Sequence, residues 1–227
     1  MTAVSMRLVR LHAVSRRVPA ALVLLAACAA GLRGTLYGHW DDYGALQLPL
    51  IFETACAAII AVTAGSPFGE PERATGRWLP YLRLGTAVAL TGLASGALAA
   101  AGTGMPLVGG FADIVRNVAG LTGIGLLCAT VLGGPLAWTG PLAYLVIGVY
   151  GLYTDWHPPA LSTPWIWPAR PPHDVGGALC AAVVFAVAVA LIGFDPPPAA
   201  ILACVAAAGF GWAFVYVEAL TLAQRLA

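Results

Sequence analysis

VGGALCAAVVFAVAVALIGF, residues 175–194, runs for twenty residues without one charged, hydroxyl or amide side chain. A helix needs about 20 predominantly apolar residues to cross the hydrocarbon core of a bilayer, and this stretch is of that length. Outward from it the pattern recurs: apolar stretches near 18–33, 45–64, 84–101, 114–133, 136–153 and 199–223 bring the total to seven. The breaks between them have a mechanism. They hold Gly38-His39-Trp40-Asp41-Asp42, a charged segment at 66–83, Gly109-Gly110, Gly133-Gly134-Pro135, a Pro/Trp-rich run at 156–172, and Asp195 followed by three prolines. Proline lacks the N–H and clashes with the preceding turn, so these are helix stops. Short-period alternation is absent, which argues against a β-barrel. The expected fold is therefore all-α: a polytopic transmembrane helix bundle of six to seven spans, forming one transmembrane domain over 18–223 behind a basic segment at 1–17. The fifth and seventh stretches are the weakest of the set.

Composition points the same way, with 60% hydrophobic and 9% charged residues against roughly 25% charged in soluble domains. All 11 basic residues other than histidine are arginine. The absence of lysine excludes a P-loop lysine, a Schiff-base lysine and a lysine general base. Any ATP used with this protein must be bound by another chain, and no nucleic-acid partner or cofactor is expected.

Arginine sets the expected orientation. Arg7, Arg10, Arg16 and Arg17 precede the first stretch, and Arg73, Arg77 and Arg83 lie in or beside the 66–83 segment. Positive residues stay inside, so both segments are expected in the cytoplasm, with 34–44, 102–113 and 154–174 on the outer side. Seven spans would put the C-terminus outside and six would put it inside. The first stretch has the basic start and small residues, Ala27-Cys28-Ala29, of a signal peptide, and among so many spans it reads as a retained signal-anchor. The five cysteines, Cys28, Cys56, Cys128, Cys180 and Cys204, all fall within apolar stretches and none is in a C-x-x-C pair. They read as small buried apolar residues, with no disulfide framework and no metal site.

Small residues recur at helical spacing: Gly92 with Gly96, Ala119 with Gly123, and Gly125 with Ala129. Such pairs let helices approach closely in lipid, either within one bundle or between two copies.

The charged segment SPFGEPERATGRWLPYLR, residues 66–83, is the most distinctive part of the chain. Pro71 suits a first helical turn, Glu70 and Glu72 complement the positive end of a helix dipole, and Arg73 and Arg77 follow. Trp78 and Tyr81 suit the headgroup boundary. A short interfacial helix and a solvated cytoplasmic loop both fit these residues.

With Glu72, Gly76, Leu79 and Arg83 in a Glu-x-x-x-Gly-x-x-Leu-x-x-x-Arg run after two spans, the chain resembles the membrane subunit of ABC-2 type transporters. It is similar to small actinobacterial membrane proteins grouped with those permeases, through Ser66-Pro67-Phe68-Gly69-Glu70-Pro71-Glu72-Arg73, Arg116-Asn117-x-x-Gly120-Leu121-Thr122-Gly123 and Trp165-x-Trp167-Pro168-x-Arg170-Pro171-Pro172. The likeness runs from about residue 5 to 194. It implies an ABC-2-like bundle in a bacterial cytoplasmic membrane, with Glu70, Glu72, Arg73 and Arg77 coupling it to a separate ATPase subunit. It further implies assembly as a homodimer or with a second membrane subunit. The family has six spans and a cytoplasmic C-terminus, which the apolar stretch 199–223 does not match. The outer segment 154–174 falls where that fold carries short helices dipping back into the membrane. Its Trp156, Trp165 and Trp167 are expected at the interface as an aromatic belt.

Two ionisable residues are expected at membrane depth. Glu53 lies a third of the way along the second stretch and Arg116 starts the fourth; each should be paired or face protein, since a charge near the bilayer centre costs at least about 2.5–3.5 kcal/mol. Arg116 is the candidate partner of Glu53, as a structural pair or as a solute or proton site. Glu218, near Arg225, is expected to reach the headgroups. The outer loops hold His39, Asp41, Asp42, Asp155, His157, His173 and Asp174 without the spacing of a metal or nucleophile motif. The functional expectation is the permease subunit of an exporter of a hydrophobic or amphipathic solute, surrounded by membrane lipids and not itself an enzyme. The alternative is an accessory or assembly protein, or a membrane enzyme with outward-facing Asp and His residues.

Overall fold

The computed structural model describes residues 10–38, 42–65, 79–105, 107, 110–153, 165–171 and 173–194. Within them the chain forms helices α1 (Val18–Gly38), α2 (Asp42–Ala64), α3 (Leu79–Ala101), α4 (Gly110–Leu132), α5 (Thr139–Tyr153) and α6 (Val175–Phe194). Two 3-10 turns, Gly134–Leu136 and Trp167–Ala169, precede α5 and α6, and residues 10–15 are helical ahead of α1. There is no strand among the described residues. Between its ends a helix satisfies its backbone N–H and C=O groups internally, which an apolar surrounding requires. Three buried hydroxyls inside them follow the same rule, with Thr54, Thr91 and Ser95 each donating to the carbonyl four residues back, at 2.7, 2.8 and 2.9 Å; the Thr122 hydroxyl on α4 is buried without a partner among the described residues.

Among the described residues five helices are long and apolar enough to cross a membrane: Val18–Gly38, Gln47–Ala64, Tyr81–Ala101, Gly110–Leu132 and Val175–Ile192. This all-helical bundle suits a membrane, and its outward side chains agree, with Val23 69%, Val146 66% and Leu179 62% exposed. The expected six to seven spans exceed that number. The stretch 136–153 forms only the 15-residue α5, roughly 22 Å long at 1.5 Å per residue and short of the roughly 30 Å core. Gly133, at φ 86°, and Pro135 divert the chain into a 3-10 turn before α5 can start. The seventh stretch, 199–223, lies outside the described residues.

Helix α4 is the axis of the bundle, touching α2, α3, α5 and α6, while α1 packs at the side on α2 and α3. Its glycines set the spacing. A Cβ at Gly123 would stand 2.9 Å from the Phe185 backbone on α6, and one at Gly125 would stand 2.6 Å from Ala61 on α2. The small-residue spacing of the fourth stretch is thus used within the bundle. Gly92 and Gly96 on α3 meet nothing within 4 Å. One apolar cluster joins α1 to α4 through Leu32, Ile60, Leu98 and Val118; another joins α3, α4 and α6 through Ala87, Leu126 and Ala188.

Opposite ends of the bundle carry different locks. At one, Arg16 Nη1 donates to the Ala64 carbonyl at 2.8 Å and to that of Gly65, holding the last turn of α2, whose free carbonyls favour a cation. Gly65 also abuts Gly134, where an added Cβ would lie 2.5 Å from the neighbouring Cα. At the far end Arg33 Nη1 donates to the Ala101 carbonyl at 3.1 Å and covers the C-terminus of α3.

Candidate functional site

The first turns of α4 bring ionisable side chains into the far end of the bundle. Gly110, at φ 63°, turns the chain into the helix. Asp113 then sits in the first turn, where a carboxylate complements the dipole. Arg116 and Asn117 follow and are buried, with 6% and 8% exposure. Glu53 on α2 is 2% exposed.

These groups form one relay. Asn117 Nδ2 donates to Glu53 Oε2 at 2.9 Å, and Asn117 Oδ1 accepts from Arg116 Nε at 3.2 Å. Only this orientation of the amide works, because a carboxylate needs a donor and a guanidinium needs an acceptor. Arg116 Nη1 pairs with Asp113 Oδ1 at 3.3 Å and donates to the Pro171 carbonyl at 3.5 Å. The expected direct pairing of Glu53 with Arg116 is therefore replaced by contact through an amide. Successive α-helical residues point about 100° apart, so of Arg116 and Asn117 only one can meet α2 squarely. It is Asn117. Sequence reasoning named Asn117 only within the Arg116-Asn117 motif, with no bonding role, and did not name Asp113, although an amide in an otherwise apolar span was a signal for interhelical bonding.

The segment leading into α6 closes the site. The backbone N–H of His173, a non-glycine residue at φ 65°, donates to Asp113 Oδ1 at 3.3 Å. Asp174 caps α6 by accepting from the Gly177 N–H at 2.7 Å and pairs with Arg170 at 3.2 Å. Partial burial works to raise the Asp174 carboxyl. The Arg170 hydrogen bond, the Gly177 N–H and the charges of Arg170 and Arg116 outweigh it and hold the group below the ordinary carboxylate range.

Trp167 departs from its expected place in an interfacial belt. It is 2% exposed, stacked on Tyr144 with ring centroids 4.7 Å apart, and seated against Gly120, where a Cβ would come within 2.5 Å of its ring. The glycine opens a slot in α4 that admits the indole, and the Tyr144 hydroxyl fixes the strap by donating to the Trp165 carbonyl. Trp165 is 38% exposed; Trp156 lies outside the described residues.

Between α4 and α6 this end opens into a cleft of about 440 Å³, lined by Asp113, Arg116, His173, Asp174, Ala178 and Leu179 among others. The structure thus gathers Arg116, His173 and Asp174 at this end and links them through Asn117 to Glu53, midway along α2. Glu70, Glu72, Arg73 and Arg77, the expected ATPase-coupling residues, lie outside the described residues, as do His39, Asp41, Asp155, His157 and Glu218. Among the described residues no group of three or more His, Cys, Asp or Glu is placed to hold a metal ion. The chain matches no family model, no curated protein and no solved structure.

Proposed function

We propose that this chain is the membrane-spanning permease subunit of an ABC-type exporter, with its N-terminus in the cytoplasm of a bacterial cell, moving a hydrophobic or amphipathic solute by means of a separate ATPase. The observation that carries the transport reading is Glu53, 2% exposed within an apolar helix and held across the bundle by Asn117 at 2.9 Å. A buried ionisable group at membrane depth is costly and marks pathways and coupling sites more often than bulk packing. The relay ties α2 to α4, and Arg116 ties α4 to the approach to α6 through the Pro171 carbonyl. A relative movement of α2 and α4 must break or carry these bonds. The separate ATPase rests on the sequence, which has no lysine for a phosphate-binding loop of its own.

The purified chain should hydrolyse no ATP alone, yet should co-purify from its native membrane with an ATPase whose turnover changes on association. Charge reversal at Glu72 and Arg73, the core of the proposed coupling segment, should weaken that association while leaving the helical signal intact. Normal binding and regulation by the double variant, or the absence of any ATPase partner, would sink this reading. A second reading, an accessory protein or enzyme acting at the far end, draws on His173 and Asp174 meeting Asp113 and Arg116 around an open cleft; loss of function confined to substitutions there, with no ATPase partner, would favour it.

A further inference from the structure

The cleft between α4 and α6 has a polar mouth and an apolar wall, and its unused hydrogen-bonding capacity is specific. Arg116 spends Nε on Asn117 and Nη1 on Asp113 and Pro171, while Nη2 meets no acceptor among the described residues. Asp113 Oδ1 takes Arg116 and the His173 N–H, while Oδ2 takes no donor among them. One free donor on a cation thus lies beside one free acceptor on an anion, and Arg116 is 6% exposed. Arg116 pairs with Asp113 at the mouth, and Asp174 on its rim pairs with Arg170. A ligand carrying both a donor-seeking anion and an N–H-bearing cation matches the open position on each member of the Arg116–Asp113 pair. Below the mouth the wall is Ala178 and Leu179, and Leu179 is 62% exposed on the outer face of α6, so the cleft opens sideways towards the surrounding lipid. Its volume of about 440 Å³ is that of a small-ligand site, about 300–1,000 Å³.

We infer that this cleft binds a single phospholipid of the adjoining leaflet whose headgroup carries a phosphate and a primary ammonium, independently of the transport reading above. The phosphate takes Arg116 Nη2 in a charge-assisted bond, the ammonium N–H donates to Asp113 Oδ2, and the start of an acyl chain lies along Ala178 and Leu179. Phosphatidylcholine offers no ammonium N–H, and phosphatidylglycerol offers no ammonium.

The full chain, purified in detergent and stripped of lipid, is titrated with each of these lipids and with phosphatidylethanolamine, and bound lipid is counted by native mass spectrometry. One phosphatidylethanolamine should bind at concentrations about tenfold lower than the other two, the effect of one charge-assisted hydrogen bond. Asp113→Asn should erase the preference for it over phosphatidylcholine. Ala178→Trp, which fills the cleft from an exposed position and leaves the Asp113–Arg116 pair intact, should abolish selective binding in a protein that still folds. Equal binding of all three lipids, a preference for phosphatidylglycerol, or selectivity that survives Ala178→Trp would overturn the assignment and leave only non-specific lipid contact.

Discussion

Replacing Glu53 by leucine separates two effects that usually travel together. On insertion scales an acid near the bilayer centre costs about 2.5–3.5 kcal/mol, so Glu53→Leu should insert at least as well as the parent. Folding should suffer instead. Asn117 Nδ2, now 2.9 Å from Glu53 Oε2, loses its acceptor in a side chain that is 8% exposed, and a buried unsatisfied donor costs about 1–3 kcal/mol. Glu53→Gln keeps an oxygen that can accept from Asn117 and should cost less than about 1 kcal/mol, within the spread of neutral hydrogen bonds. Combining Glu53→Leu with Asn117→Leu closes a double-mutant cycle whose coupling should fall near 0.6–1.7 kcal/mol, the range from the average to the maximum for interhelical bonds in a membrane protein. Reversible unfolding in mixed detergent micelles, followed by circular dichroism, measures the parent, the two Glu53 variants, Asn117→Leu and the double variant. If Glu53→Leu is as stable as Glu53→Gln and the cycle shows no coupling, the relay from α2 to α4 does not support the fold.

Two further perturbations test the rest of the site. Gly120→Ala drives a Cβ to 2.5 Å from the Trp167 ring and should destabilise the bundle by about 1–3 kcal/mol, as overpacking does; Gly92→Ala, with nothing within 4 Å, should not, and the same unfolding assay compares them. Asp174 has a folded-state pKa below its unfolded value, so its contribution is complete above the ordinary carboxylate value of about 3.9 and is lost as pH falls through the lower folded value. The stability difference between the parent and Asp174→Asn, which retains an N-cap oxygen, should accordingly be constant near neutrality and shrink only in that acid window.

What could be read from the chain was mostly one-dimensional. Apolar length placed α2 and α3 to within a few residues, and Gly133-Gly134-Pro135 correctly ended α4 because glycine and proline act on their own backbone. Helix α4 begins at Gly110, one turn before the stretch expected from 114, because Gly110 and Asp113 look like loop residues by composition, yet Asp113 pairs with Arg116 inside the first turns. Long-range contacts were harder. That Glu53 and Arg116 belong to one buried cluster followed from the cost of charge in lipid. That Asn117 stands between them depends on the rotation of α4 about its axis, which no local pattern encodes. Trp167 misled for a related reason: an indole beside prolines resembles an interfacial anchor, and only Gly120, 47 positions earlier in the chain, supplies the slot that buries it.

The meeting of Gly65 with Gly134 has a mechanical consequence. Where side chains separate two helices, rotamer changes can soak up part of any displacement before it reaches the next backbone. Here an added Cβ on Gly65 would already be 2.5 Å from the Gly134 Cα, so no compliant layer lies between the tail of α2 and the turn that launches α5. Arg16 also holds the Ala64 and Gly65 carbonyls, which stiffens the joint further. Any relative displacement of the end of α2 and the α4–α5 turn would therefore pass from one backbone directly to the other, with the two glycines as the bearing surface.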